Sequence, residues 1–178
     1  MNRVHFSILI FTIYLCNSLG FAKERFLFEK GTISVSVPKG WQTTKDLFGI
    51  PLTLLGPELA GGRPVVSFTS TGIKDLKFDQ EKLEKKKSEY VSGRENWLKQ
   101  KEGKSLRYFA YEVEHRNDGI EVHKIGYEYE LNAIIFSEHS YYILCEGQLF
   151  HGKVLLRKDH IKKYQNLTNE IVRSFSCK

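Results

Sequence analysis

The chain has 178 residues, with 27 Lys and Arg against 21 Asp and Glu for a formal charge of +6. Its 41% hydrophobic and 27% charged content excludes a collagen-like, fully disordered or coiled-coil chain. The length suits one domain, twelve Phe and nine Tyr can build a core without a structural metal, and so mild a charge does not announce nucleic-acid binding.

Residues 1–22 read as an export signal. Arg3 precedes an apolar run from Val4 to Leu15, too short to span a bilayer, and Gly20-Phe21-Ala22 sets small residues at the positions that predict cleavage after Ala22. An uncleaved anchor, or lipidation at Cys16, is the alternative; Leu15 directly before Cys16 fits a lipidation site poorly. Cleavage leaves two cysteines, Cys145 and Cys177, which in an oxidising compartment read as a disulfide. Two inert thiols, or Cys145 as a nucleophile beside a histidine, are the rival readings.

In the remaining chain, Arg25–Glu29 reads as a short strand beside Thr32–Val37, whose Ile33, Val35 and Val37 alternate with polar residues. Pro38-Lys39-Gly40 ends that strand and Trp41 follows as an anchor. Ile50–Leu55 is a brief apolar segment, and Val65–Thr71 a strand with Val66 and Phe68 facing inward. Over 79–102 the composition turns to Lys, Glu and Gln. Leu83, Tyr90 and Trp97 recur there every seven residues on a long helix capped by Asp79, with Gly93 its weak point and Gly103 its stop.

Asn117-Asp118-Gly119 predicts a hairpin between Leu106–Arg116 and Ile120–Leu131. A three-residue loop pairs Phe109 with Tyr127, Tyr111 with Ile125, Val113 with His123 and Glu112 with Lys124, so that both faces match. Ile134–Phe136 and Tyr141–Cys145 continue as further strands or as one long bent one, with Glu138-His139 read as a loop. Asp159–Phe175 closes the chain as an amphipathic helix. The fold class is α+β, an antiparallel sheet covered by two long helices.

Ile33-Ser34-Val35-Ser36-Val37-Pro38-Lys39-Gly40-Trp41, Arg63-Pro64-Val65-Val66-Ser67-Phe68 and Ile171-Val172-Arg173-Ser174-Phe175 resemble the opening strand, the next strand and the closing helix of PsbP-like and DcrB-like domains. The likeness extends over most of 26–176 in element order. It implies an α/β/α sandwich on an antiparallel sheet, and a non-enzymatic accessory role in an envelope or a lumen. DcrB-like members are often lipoproteins, a feature the Leu15-Cys16 pair does not match.

Catalytic signatures are missing from the sequence. Gly61-Gly62 has no following Lys-Ser/Thr, and no CxxC, HExxH or G-x-S-x-G occurs. His123, beside Val113, reads as a satisfied histidine at the core's rim, and His115 opposite Glu121 as at most a surface metal ligand. The Asn166 glycosylation sequon falls within a helix. Glu112, Glu114, Glu128 and Glu130 share the hairpin's non-core face; paired carboxylates can serve as acid and base, and a solvated, charge-paired face is the competing account. No metal or cofactor is expected.

Charge is unevenly spread. Residues 105–152 carry three basic and eight acidic groups, while 153–178 carry seven and two. Lys85, Lys86, Lys87, Lys162 and Lys163 form a candidate basic surface for a protein partner, anionic lipid or envelope polysaccharide. The sequence therefore points to a secreted or periplasmic accessory protein acting by surface contact. A small hydrolase using carboxylates or Cys145, and a factor delivered to another cell, are the alternatives.

Overall fold

The computed structural model describes residues 24–28, 33–74 and 80–177. The expected leader over 1–22 with Cys16, and the cap at Asp79, lie outside the described residues, as does the side chain of Leu83. In chain order the elements are β1 (Glu24–Phe28), β2 (Ile33–Val37), β3 (Gln42–Leu47), β4 (Ile50–Leu55), β5 (Val65–Lys74), α1 (Gln80–Gln100), β6 (Lys104–Tyr108), β7 (Glu112–His115), β8 (Glu121–Leu131), β9 (Ile134–Cys145), β10 (Gln148–Arg157), α2 (Lys158–Arg173) and β11 (Ser176–Cys177).

Eight antiparallel strands form the main sheet in the order β3-β4-β5-β10-β9-β8-β6, with β7 also paired to β8, and β1-β2-β11 form a smaller one. Three of the sheet's hairpins close through two residues that both have positive φ: Phe48-Gly49, Asn132-Ala133 and Glu146-Gly147. Such turns match the right-handed twist of the strands they join.

Successive side chains point to opposite faces of a strand, so the sheet carries two separate clusters. On one face Leu52, Leu54, Val66, Phe68, Ile143, Phe150, Val154 and Leu156 meet Tyr164, Ile171 and Val172 of α2, together with Ile33, Val35 and Val37 of β2. Phe175 lies at the centre of this cluster, its ring 5.5 Å from Phe68 and 5.3 Å from Phe150. Trp41, the expected anchor, meets Tyr164 edge-on at 6.3 Å. On the opposite face α1 sets Tyr90 edge-on to Tyr127 at 6.1 Å and Trp97 edge-on to Tyr129 at 5.8 Å, with Leu98 buried beside them.

Several expectations need correction. β3, β10 and β11 have no counterpart in the sequence reading. β10 is a central strand between β5 and β9, whose burial alternates along 150–157; Gly152 at a buried position and Leu155 at a half-buried one hide that alternation in the sequence. A Cβ on its Gly152 would press on the Phe68 ring at 3.2 Å. Glu138-His139 is no loop but the middle of the twelve-residue strand β9. Polar groups at its buried positions hid the pattern. The hairpin register holds at Glu112↔Lys124 and Val113↔His123, but slips by one beyond the break at 109–111, where Tyr108 rather than Phe109 opposes Tyr127. Phe109 turns to the α2 side instead and stacks on His139 at 4.7 Å.

Candidate functional site

The register of β7 and β8 puts Glu112, Glu114, Glu128 and Glu130 on the α2 side of the sheet, and every one of them faces a cation. Lys124 donates to Glu112 at 3.3 Å, and Arg107 donates twice to Glu128, at 2.8 Å each. Lys104 lies 3.2 Å from Glu130, and Arg173 of α2 lies 4.0 Å from Glu114. Between β7 and α2, Glu112, Glu114, Lys124 and Arg173 border a groove of about 70 Å³ that Tyr141 also lines. The Tyr141 hydroxyl donates to the Asn169 side chain at 3.1 Å. Burial, followed by the Glu112 carboxylate, raises the Tyr141 phenol above its ordinary range.

His139 lies on the same face under the Phe109 ring. Burial is the main cause that lowers it to about 4; Lys124 adds to this, while Glu112 and Glu128 oppose it. It stays neutral at physiological pH. Cys145 is joined to Cys177 in a disulfide with Cα atoms 6.3 Å apart, a separation in the usual range for that bond. This corrects the reading of Cys145 as a nucleophile, because an oxidised sulfur carries no thiolate.

The five lysines do not come together. Lys85, Lys86 and Lys87 are exposed on α1, and Lys162 and Lys163 on α2, the two helices covering opposite faces of the sheet. Lys86 donates to Glu89 at 2.6 Å, which with its charge holds that carboxyl below its ordinary value. Lys163 lies 5.1 Å above the Tyr164 ring.

Beneath α1 lies a polar centre that sequence reasoning missed. Glu138, 2% exposed, meets Lys153 at 2.9 Å and Arg94 of α1 at 3.6 Å. Tyr90, Tyr127 and Tyr129 surround the carboxylate, and their phenols are pushed up first by burial and then by the Glu138 charge. Burial alone would lower the Arg94 guanidinium; Glu138 and the tyrosines more than offset it and leave it raised. His151 stacks on Tyr142 at 5.0 Å and is lowered to about 4 by burial and then by Lys153 and Arg94. A signal did exist: Tyr90, Arg94 and Trp97 fall at i, i+4 and i+7, so a cation sits within the apolar stripe and implies a buried anion beneath it.

On that same face His123, 2% exposed, hydrogen-bonds through its two ring nitrogens to Tyr111 and to Glu121, and the second Glu121 oxygen lies 3.4 Å from His115. The expected satisfied histidine thus has named partners. Among the described residues no group of His, Cys, Asp and Glu has metal-holding geometry, and no helix is long and apolar enough to cross a membrane.

No family model matches the chain, and no curated protein sequence does. Among solved structures, the cyanobacterial PsbP of Synechocystis superposes with a TM-score of 0.64 at 12% identity, covering 92% of this chain and 97% of that one. The chain has a PsbP-like fold. An LpqN structure described as involved in cell envelope biogenesis of Mycobacterium tuberculosis shares 11% identity at a TM-score of 0.47, over 88% of this chain and 91% of that one. A Bacteroides thetaiotaomicron protein gives 0.47 and 11% over 88% of this chain, which spans 48% of its length. At these identities the PsbP-like likeness concerns architecture, an α+β fold with a large antiparallel sheet and two helices.

Proposed function

We propose that this chain is an exported accessory or binding protein of the cell envelope, one domain over 23–178 after removal of 1–22, acting by surface contact without catalysis. Its layers read as an α/β/α sandwich, with α1 and α2 outside the sheet. The observation that carries the proposal is the neutralised acidic face. Glu112, Glu114, Glu128 and Glu130 each have a cation at 4.0 Å or closer, and both oxygens of Glu128 accept from Arg107. Carboxylates engaged by neighbouring cations in this way are not presented to a substrate, as an acid–base pair must be. The exposed lysines of α1 and α2 then offer two separate surfaces to an anionic partner.

The test pairs an activity screen with binding to anionic polysaccharide and anionic vesicles. Binding that weakens steeply as salt rises, and that falls when Lys85, Lys86 and Lys87 are changed to Gln, supports the reading. Turnover that survives purification and disappears in Glu112→Gln or Glu128→Gln would instead establish the carboxylate hydrolase.

A further inference from the structure

We propose that the β3–β4 hairpin tip, with Phe48 at its apex, inserts shallowly into the interface of a lipid bilayer. Phe48 is 96% exposed, the most exposed large apolar side chain among the described residues. It also has φ +51, followed by Gly49 at +78, in a two-residue turn closed by Leu47↔Ile50. The first position of such a turn favours Asn, Asp or Gly, and a bulky residue with positive φ is a conformational outlier. The equivalent turns carry Asn132 and Glu146 at that position, both polar. At Phe48 the local backbone and the solvent both disfavour the residue present. Violations of two independent rules at one exposed position mark a functional contact.

Strand register brings further apolar groups to the same end of the sheet. Ile50 follows the turn, and Ile73 lies near the end of β5, whose Lys74 pairs with Gln148 beside Cys145. Cys145 is bonded to Cys177, which pairs with Ile33, and that places Leu27 of the β1–β2 hairpin at this end too. Leu27, Phe48, Ile50 and Ile73 are thus four of the six exposed large hydrophobics among the described residues.

Two features select a bilayer over a protein pocket. The tip is convex, with nothing within 4 Å of a Cβ placed on Gly49. Its flanking backbone is already paired at Leu47↔Ile50, so insertion leaves few polar groups to desolvate. Among the described residues, the charges flanking these turns balance: Lys45 and Lys74 against Asp46 and Glu146. Lys45 folds back, with its ammonium 5.0 Å above the Phe26 ring. Such a prong binds neutral and anionic lipid alike.

The prong presupposes the envelope location proposed above, but its binding mode is the reverse of that of the lysine surfaces, being insensitive to salt. The full chain, exported and processed identically in wild type and variants, is sedimented with phosphatidylcholine vesicles at low and high salt. Wild type is expected to partition equally at both. Phe48→Asn, which creates the preferred Asn-Gly turn, is expected to fold at least as stably and to partition at least about tenfold less. Phe48→Trp adds an emission at the apex that brominated acyl chains quench, reporting the tip whatever else touches the membrane. Equal partitioning of wild type and Phe48→Asn, no extra quenching in Phe48→Trp, or lost stability in Phe48→Asn would each overturn the proposal. So would a dimer abolished by Phe48→Asn without vesicle binding, which would assign the prong to a second copy. Loss of the salt-sensitive binding to anionic vesicles, with the Phe48 effects intact, would remove only the lysine surfaces.

Discussion

The two faces of the main sheet solve the same packing problem with different chemistry. The α2 side is built on a large cluster of aliphatic and aromatic side chains centred on Phe68, Phe150 and Phe175, with its charged groups gathered at the β7–β8 end. The α1 side has a smaller apolar cluster built on Leu98, Tyr127 and Tyr129, and surrounds a buried carboxylate with cations and phenols. Apolar burial is additive and tolerant of small shifts, whereas an internal ion cluster demands every partner in place. The α2 face should therefore set the global stability, and the α1 face should govern how firmly one helix stays docked.

The largest expected effect comes from emptying the α2 face. Phe175→Ala should destabilise by about 3–5 kcal/mol, read from the urea midpoint, because the cavity is enclosed by two other phenylalanines. A loss below about 1 kcal/mol would dissolve the distinction between the faces. Replacing Cys145 and Cys177 by Ser follows closely. Across 32 residues of separation the loop-entropy model gives about 3–4 kcal/mol. Thermal melts of the oxidised and Ser forms test that figure, and two free thiols in non-reducing mass spectrometry would contradict the bond itself.

Next comes the α1 face, where the order of two substitutions carries the information. Lys153→Met leaves Glu138 buried with only Arg94 at 3.6 Å, and should cost about 2–3 kcal/mol. Glu138→Gln leaves cations that are 33% and 27% exposed and can turn to water, and should cost less. Equal costs would mean that the cluster behaves as a surface network.

The smallest effect is a slope with pH. His139 on the α2 face and His151 on the α1 face are both lowered to about 4, from 6.5. The unfolded chain binds more protons between those limits. Stability is therefore whole above about pH 6.5, declines as pH falls through the window, and has lost this contribution near pH 4. Urea midpoints across that range should show His139→Asn and His151→Gln each flattening part of the slope. Whichever removes more identifies the face that opens first in acid.

Legibility in the sequence followed local periodicity. Ile33, Val35, Val37, Val66 and Phe68 announced buried strands, and the stripe of Tyr90 and Trp97 announced a docked helix. The turn at Asn117-Asp118-Gly119 set the register of Glu112 and Lys124. β10 escaped because Gly152 holds a buried position and Leu155 a half-buried one, and Glu138 escaped because its burial depends on Arg94 and Lys153, supplied by other elements. The acidic residues of β7 and β8 were readable as a shared face. That each is neutralised was readable only in part, since Lys124 opposes Glu112 locally, whereas Arg173 reaches Glu114 from α2.

By itself the sequence determined the α+β class, the pairing partners available to Cys145 and Cys177, and the alternation of basic and acidic segments, because all of these rest on composition and short-range period. Tertiary structure decided the rest. It split the lysines between two faces, brought Cys145 and Cys177 together in a disulfide, and enclosed Glu138 between a helix and a strand. It also left Phe48 bare at a turn apex. Burial and charge pairing are properties of neighbours brought together across the chain, and no local pattern encodes them.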